Sequence, residues 1–225
     1  MIAAPPLAAL DLLDQLGGPL RGALASGAVL TDVASTKGAI VSRARGLDLP
    51  FVGGHPMAGR EASGYVAASA DLFRDRPWIV VSDGATAHGM ATVEALAAAC
   101  LARPKRMSAA AHDNAVAAIS HLPLVLAAAL VEAVAGVGDT GSADWPDLAE
   151  LAASGWRDMT RLARGDVAMG AGIVATNAQP IAARLRDVRA VIDGWLADLE
   201  ARDGPDVDAI AARLRDARTR LAEFE

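Results

Sequence analysis

The chain has 225 residues, of which 53% are hydrophobic and 4% aromatic, and its formal net charge is −6. This length is enough for one large or two modest domains with a substantial core. The acidic balance and the lack of a basic run argue against a nucleic-acid or anionic-membrane surface. The single Cys100 excludes an intrachain disulfide and a cysteine zinc cluster. We therefore expect a cytoplasmic protein.

The first hundred residues alternate short apolar strands with helices. Residues 2–6 resemble the end of a strand entering a turn, and further strands are predicted over 28–33, 49–54, 78–82 and 104–108. Helices are predicted over 7–20, 35–44 and 87–101, the second with Ser35 as its N-cap. This alternation is typical of a parallel sheet covered on both faces.

No further strand is predicted after residue 108. Helices are predicted over 109–135, 147–151, 158–163, 171–200 and 207–224. The last two carry apolar faces made of Ile181, Leu185, Val188, Ile192, Leu196 and Leu199, and of Ile210, Leu214 and Leu221. The sequence thus predicts an α/β part, residues 1–107, followed by an all-α part, residues 108–225.

The longest apolar run covers residues 115–136. It contains His121, Pro123 and Glu132, which favours a buried helix of a compact domain or dimer over a membrane span.

One segment has the spacing of dinucleotide-binding glycines, Gly136-Val-Gly-Asp-Thr-Gly141. That motif requires a strand before it and a helix directly after it. Here a helical run precedes it, so we interpret it as a loop that ends a helix.

A glycine-rich loop with one histidine follows the strand predicted over 49–54. The segment Phe51-Val-Gly-Gly-His-Pro-Met-Ala-Gly59 can bring backbone close to a ligand, because glycine lacks a Cβ. His55, with Glu61 and Ser63 nearby, lies where open α/β sheets bind ligands, and imidazole exchanges protons near neutral pH. A histidine that is simply hydrogen-bonded in a tight loop is the alternative.

A second polar turn, Asp32-Val-Ala-Ser-Thr-Lys37, also follows a strand and precedes a helix. The Ser35 hydroxyl could cap that helix or face a ligand at the strand ends. Lys37 would favour an anionic group nearby or remain solvated.

The helix predicted over 109–135 carries two histidines nine residues apart. At about 100° per residue His112 and His121 fall on opposite sides, which argues against a metal site on this helix. We predict no metal. His112 and Asp113 are expected to form a cap or an interdomain contact. Ser120 and His121 precede Pro123, where freed backbone groups can meet a ligand.

Two arginines four residues apart, Arg157 and Arg161, share a helix face. A guanidinium forms a two-pronged contact with a carboxylate, so this pair is a candidate for binding an acidic ligand. Solvation or an ion pair with Asp158 is the alternative.

Taken in order, these segments resemble the prephenate and arogenate dehydrogenases. The matching motifs are Asp32…Ser35-Thr-Lys37, Gly54-His-Pro-Met-Ala-Gly59…Glu61…Ser63-Gly64, His112-Asp113…Ser120-His-Leu-Pro123 and Arg157-Asp158…Thr160-Arg161…Asn177. The similarity runs from Ile2 to about Leu199.

The resemblance implies an NAD- or NADP-dependent oxidative decarboxylation of prephenate to 4-hydroxyphenylpyruvate in tyrosine biosynthesis, with arogenate as the alternative substrate. It also implies a partial doubly wound parallel sheet, Rossmann-like and without its first strands. A helical substrate-binding and dimerisation domain would follow, with the active site in the cleft between the two parts.

The resemblance further implies residue roles. His55 would be the general base, Ser35 would hydrogen-bond the substrate hydroxyl or the cofactor, and Arg161 would hold a substrate carboxylate. Further substrate contacts would be Ser120, His121 and Arg157. The implied cofactor contacts are Pro5, Pro6, Ser35 and Lys37.

The chain also departs from the family pattern. It starts at what resembles the fourth strand of the family's first domain, without the glycine-rich turn and the acidic residue that hold the dinucleotide. We therefore expect its affinity for NAD+ to be no tighter than millimolar. A non-catalytic dimeric remnant and a different small-acid dehydrogenase are the alternative functions. Leu124, where many members have a further histidine, leaves the choice between prephenate and arogenate open.

Overall fold

A computed structural model describes residues 1–59, 68–136 and 142–223. The helices are Pro6–Gly17 (α1), Gly38–Gly46 (α2), Ala87–Ala99 (α3), Ala109–Val116 (α4), Leu122–Ala135 (α5), Trp145–Glu150 (α6), Ser154–Thr160 (α7), Val167–Thr176 (α8), Ala178–Leu199 (α9) and Val207–Ala222 (α10). The strands are Leu30–Thr31 (β1), Phe51–Val52 (β2), Gly54–Pro56 (β3), Pro77–Val81 (β4) and Arg103–Met107 (β5). A short 3-10 turn, Arg21–Ala23, lies between α1 and β1. A π-helical turn, Ala117–His121, joins α4 to α5, and a second 3-10 turn, Arg161–Arg164, lies between α7 and α8.

The strands form two small sheets that are connected at Gly53. β1 pairs with β2 in parallel, and Ile2 makes a parallel bridge to Asp32. In the other sheet β4 lies between β3, which is antiparallel to it, and β5, which is parallel. The amide of Val81 donates to the carbonyl of Gly53 at 2.8 Å. The Rossmann-like, partly parallel sheet is confirmed, but the single strand predicted over 49–54 is divided at Gly53.

Helices cover both faces of β4. Trp78 and Val80 pack with α3, whereas Ile79 and Val81 point the other way and pack with α2 and α4. A third cluster joins α1 to α2 around Ile2. The covered sheet that the alternation predicts is therefore present, and its strand ends are fixed by a packed core on each side.

The stretch Ala109–Ala135 is continuously helical, through α4, the π turn and α5. By length and composition alone it could cross a membrane, a test that core helices of soluble proteins also pass. Of its most apolar 18 residues, 22% are buried within the described chain. The same stretch carries the buried polar residues His112, Asp113 and His121, so it contributes to a polar cluster as well as to an apolar surface.

The chain divides into two compact units, Met1–Ile181 and Ala182–Glu225. In the second unit Arg213 pairs with Asp198, and its guanidinium carbon lies 5.6 Å from the ring centroid of Trp195. Apolar residues predicted to face a core are exposed there: Ile192, Leu196, Leu199, Leu214 and Leu221. The helices are thus confirmed, but the burial of these faces is not found among the described residues. The domain division at residue 107 stays a prediction.

Candidate active site

The carboxyl end of β1 leads into a buried ion pair between Asp32 and Lys37, whose side chains are both 0% exposed. Lys37 Nζ also donates to the carbonyl of Gly54 at 2.8 Å. Asp32 accepts the amides of Gly54 at 3.0 Å and Ala34 at 3.2 Å. Burial lowers the pKa of Lys37, and the Asp32 carboxylate opposes that shift. The predicted contact of Lys37 with an anionic ligand is therefore replaced by a pair inside the protein.

Gly53 and Gly54 allow this close packing. A Cβ at Gly54 would lie 2.6 Å from the carbonyl oxygen of Asp32 and 3.0 Å from Thr31 Oγ1. A Cβ at Gly53 would lie 3.0 Å from a methyl group of Val41. At these two positions the backbone comes close to other protein atoms rather than leaving room for a ligand, because those atoms already occupy the space.

The first turn of α2 is capped by a residue of another helix. Asp113 of α4 accepts the amide of Lys37 at 2.8 Å through Oδ1 and the amide of Gly38 at 2.7 Å through Oδ2. The prediction that Ser35 caps this helix is wrong, because the helix begins at Gly38 and Lys37 occupies the N-cap position. Ser35 therefore lies too far upstream to reach the free amides.

Asp113 is also the first member of a series of hydrogen bonds that includes two histidines, His112 and His55. Its Oδ1 lies 2.7 Å from His112 Nδ1, and His112 Nε2 lies 2.8 Å from His55 Nδ1. The two rings meet edge to face, with centroids 5.0 Å apart. His112 is buried, while His55 is half-buried on β3. Among the hydrogen bonds of residues 1–59, 68–136 and 142–223, the His55 ring is joined through Nδ1 only.

Burial and charge favour a neutral His55 beside an ionised Asp113. Burial lowers the pKa of His55 well below its usual value, and His112, Lys37 and His121 lower it further. Burial would raise the pKa of Asp113. The hydrogen bonds from His112, Gly38 and Lys37 outweigh it and hold that pKa below its usual range. A neutral imidazole with one nitrogen held and the other available can accept a proton from a ligand.

His121 joins the same cluster, contrary to the prediction from its nine-residue spacing. The π turn has more residues per turn than an α-helix and so changes the angle between His112 and His121. Asn177 Nδ2 donates to the Asp113 carbonyl at 2.9 Å and to His121 Nδ1 at 3.0 Å. His121 is therefore a neutral ring with its hydrogen on Nε2, and burial lowers its pKa to about 4.

Nε2 of His121 is buried and has no partner among residues 1–59, 68–136 and 142–223. The contact of Asn177 with Nδ1 fixes the ring, and Nε2 is left as a hydrogen-bond donor without an acceptor among the described residues. An unpaired buried donor is costly for a fold, which makes His121 a candidate for ligand contact. Within the same ranges, no group of three His, Cys, Asp or Glu side chains is arranged to hold a metal ion.

Four further predicted site residues are half-buried or exposed. Ser35 is half-buried in the turn before α2, and Ser120 is exposed in the π turn. Arg157 is exposed on α7, and Arg161 is exposed at the start of the following 3-10 turn, which packs on α5. Their contacts with a substrate stay predictions.

The remaining predicted positions are less accessible or fall in undescribed parts. Pro5 is half-buried, and Pro6 is buried in the first turn of α1 against Gly172. Glu61 and Ser63 lie outside the described residues, as do residues 137–141 of the glycine-spaced segment. The helix before that segment ends at Ala135.

The sequence pointed to His112, Asp113 and Asn177 without assigning them to the site. The adjacent His-Asp pair was the available signal, because an acidic residue beside a histidine can orient its ring. The sequence does not predict that Asp113 binds the first amides of α2, or that His112 contacts His55 on β3.

Two family models match the chain. Residues 1–104 match the prephenate dehydrogenase nucleotide-binding domain, and residues 108–211 match the prephenate dehydrogenase dimerization domain. Together the two matches cover both the strand-containing part and most of the helical part.

The chain is also similar to individual proteins of this kind. The prephenate dehydrogenase of Lactococcus lactis is 29% identical over 212 residues, 92% of this chain and 56% of that protein. The crystal structure of Synechocystis arogenate dehydrogenase is 30% identical with a TM-score of 0.75, covering 97% of this chain and 77% of that chain.

A third comparison shows the fold alone. Prephenate dehydrogenase from Aquifex aeolicus, solved with hydroxyphenyl propionate and NAD+, has a TM-score of 0.82 at 22% identity. It covers 99% of this chain and 75% of that chain. The chain spans about half the length of the curated relatives it matches.

Proposed function

Because the chain belongs to the prephenate/arogenate dehydrogenase family, we propose that it carries the substrate-binding side of an NAD(P)-dependent dehydrogenase. The proposed reaction is the oxidative decarboxylation of prephenate to 4-hydroxyphenylpyruvate. The observation that carries the proposal is His55, which is half-buried and is held through Nδ1 by His112 at 2.8 Å.

The proposed chemistry uses His55 twice. Nε2 takes the proton of the ring hydroxyl. A bound nicotinamide would accept the hydride from the carbon that carries this hydroxyl. The ring carboxylate leaves as CO2, and the electrons of the broken bond complete the aromatic ring. His55 then returns its proton to the phenolate oxygen, so the ring oxygen neither gains nor loses a proton overall.

Other side chains would bind and orient the substrate. His121 offers a fixed N–H donor, and Ser35 offers a half-buried hydroxyl. Arg161 would hold the side-chain carboxylate through two parallel hydrogen bonds. Ser120 and Arg157, both exposed, would line the entrance.

The residues predicted to contact the cofactor fit it only in part. Lys37 is enclosed with Asp32, and Pro6 is buried under α8, which leaves Pro5 and Ser35 partly exposed near the ends of the strands. The match to a nucleotide-binding domain and the NAD+ bound by the Aquifex aeolicus enzyme support NAD(P) as cofactor.

The test compares NADH formation from prephenate by the chain itself and by the chain fused behind a dinucleotide-binding βαβ unit of a relative. We expect activity in the fusion, and His55→Asn should lower kcat by about 10²–10⁴-fold. The exposed histidine variant His88→Asn serves as the matched control. Unchanged turnover in His55→Asn would contradict the proposed base.

The same assay separates the alternatives. Similarity to an arogenate dehydrogenase keeps arogenate as the second candidate substrate, and the ratio of kcat/KM for the two acids decides between them. A fusion that binds NAD+ but oxidises neither acid would favour a non-catalytic dimeric remnant.

We also propose that the chain forms a homodimer through its helical part. The match to a dimerization domain supports this, as do the exposed apolar residues of 109–135 and 182–223. A second copy, rather than a membrane, would cover these faces, and the chain would act in the cytoplasm. Sedimentation equilibrium of the purified chain should show twice the monomer mass without detergent.

A further inference from the structure

When both rings are neutral, the contacts from Asp113 to His55 determine which nitrogen of His55 carries its hydrogen. An ionised carboxylate only accepts hydrogen bonds, so the hydrogen in the 2.7 Å contact with Asp113 belongs to His112 Nδ1. In a neutral ring His112 Nε2 is then an acceptor, and the 2.8 Å contact requires His55 Nδ1 to donate to it. Nε2 of His55 is left with its lone pair free.

We propose that His112, held by Asp113, is a positioning residue that keeps His55 in the tautomer with a hydrogen on Nδ1 and a free Nε2. The same bonds stabilise the imidazolium that forms when Nε2 takes a proton. The inference rests on the proposed role of His55 as base, and it adds the residue that holds the His55 ring in the tautomer able to accept a proton.

Asp113 is a fixed starting point for this chain. Its two oxygens accept the amides of Lys37 and Gly38 at the N-terminus of α2. A Cβ at Gly38 would lie 2.8 Å from Oδ2, so a larger residue there would push the Asp113 side chain out of this position. The positive end of the helix dipole favours the ionised form. The carboxylate is thereby held on both oxygens and cannot turn away from His112.

The charge balance of the proposed step is simple. Before the transfer Asp113, His112 and His55 carry a net charge of about −1, and after it the proton on His55 brings the sum to about zero. Lys37 and His121, which lie near His55, oppose the new positive charge, and burial opposes it further. A hydrogen bond from the charged ring to His112, with a carboxylate behind it, offsets that penalty.

The tautomer can be measured without turnover. Long-range ¹⁵N–¹H spectra of the histidine-labelled chain should show His55 protonated at Nδ1 and unprotonated at Nε2. Variants of the four histidines assign the signals. His112→Leu should shift His55 toward the Nε2–H form. His112→Gln should retain Nδ1–H, because its amide can accept from His55 and donate to Asp113.

Three results would overturn the inference. They are an Nε2–H form of His55 in the unchanged chain, the same spectrum in His112→Leu, and a Gln variant that behaves like Leu. His88→Leu, which changes an exposed histidine on α3, should leave the His55 signals unaltered.

Turnover of the fusion gives an independent readout. His112→Leu should lower kcat by about 10–100-fold with little change in KM, as expected when an orienting partner is lost. In a His55→Asn background the same change should cost less than about twofold, because the residue acts through His55. An equal loss in both backgrounds would overturn the inference. An unchanged kcat in His55→Asn alone would overturn the proposed function and leave the tautomer result standing.

Discussion

The polar cluster at the ends of β1 and β3 differs from residues 182–223 in how side chains find partners. Asp32, Lys37 and His112 are buried and each is paired within the chain. Leu196 and Leu214 remain 46% and 59% exposed. Buried charges need partners at fixed positions within the chain, whereas exposed apolar side chains are available for contact with a second molecule. Single substitutions in the first region should therefore change the free energy of unfolding. Substitutions in the second region should change the association of two chains, which depends on protein concentration.

The largest effect is expected from breaking the buried ion pair. Lys37→Met leaves Asp32 without its counter-charge, and removing one member of such a pair destabilises a protein by about 3–5 kcal/mol. Urea unfolding measures the change. Lys105→Met, at an exposed position on β5, is the matched control and should differ by less than about 0.5 kcal/mol. Equal stabilities of the two variants would show that the pair contributes nothing.

A smaller loss is expected at Gly54. The new Cβ in Gly54→Ala would lie 2.6 Å from a backbone oxygen, which cannot move aside as a flexible side chain can. Such overpacking costs about 1–3 kcal/mol. Gly22→Ala, where nothing lies within 4 Å, is the control. If both substitutions leave the unfolding midpoint unchanged, β3 does not require this close approach.

The lowered pKa of His121 makes stability depend on pH. Above pH 6.5 this histidine is neutral in both the folded and unfolded chain. Between pH 6.5 and about 4 the unfolded chain binds a proton that the folded chain does not. The free energy of unfolding should therefore fall as pH falls through this window, by about 3 kcal/mol for this group.

Urea unfolding of the chain at several pH values within this window measures the effect. His121→Asn should flatten the dependence, and His88→Asn should not. The direction of the His55 shift adds to the same trend. A pH dependence that is identical in His121→Asn and in the unchanged chain would contradict the assignment.

The smallest effect on unfolding is expected in the C-terminal unit. Leu214→Ser with Leu221→Ser should change the stability of the dissociated chain by less than about 0.5 kcal/mol per site. If these exposed side chains lie in a dimer, the dissociation constant should rise about tenfold or more. Sedimentation measures it, with Arg218→Ser on the same helix as control. An unchanged constant would place the interface elsewhere.

Much of the fold could be predicted from apolar periodicity. β4 and α3 lie within a few residues of their predicted bounds, because each has an apolar pattern and a clear cap or turn. β5 also lies close to its predicted bounds, although most of its residues are exposed. The division of the second strand at Gly53 could not be predicted. It depends on the pairing of β3 with β4, more than twenty residues later in the chain.

The site could be predicted by residue type but not by partner. His55, Asp32 and Lys37 stand out as polar residues at strand ends. The angle between His112 and His121 around the helix depends on a π turn, for which the sequence carries no recognisable signal. The partner of Lys37 and the cap of α2 depend on contacts that only the tertiary structure makes.

The cap on α2 also has a consequence for the order of folding. Asp113 lies 75 residues after the Gly38 amide that it binds. Because α4 follows α2 in the chain, Asp113 can bind these amides only after α4 has been synthesised and packs on α2. Hydrogen exchange at the Lys37 and Gly38 amides consequently times the docking of α4, and the same event aligns His112. Completion of this helix terminus and assembly of the histidine pair are one step in the chain's maturation.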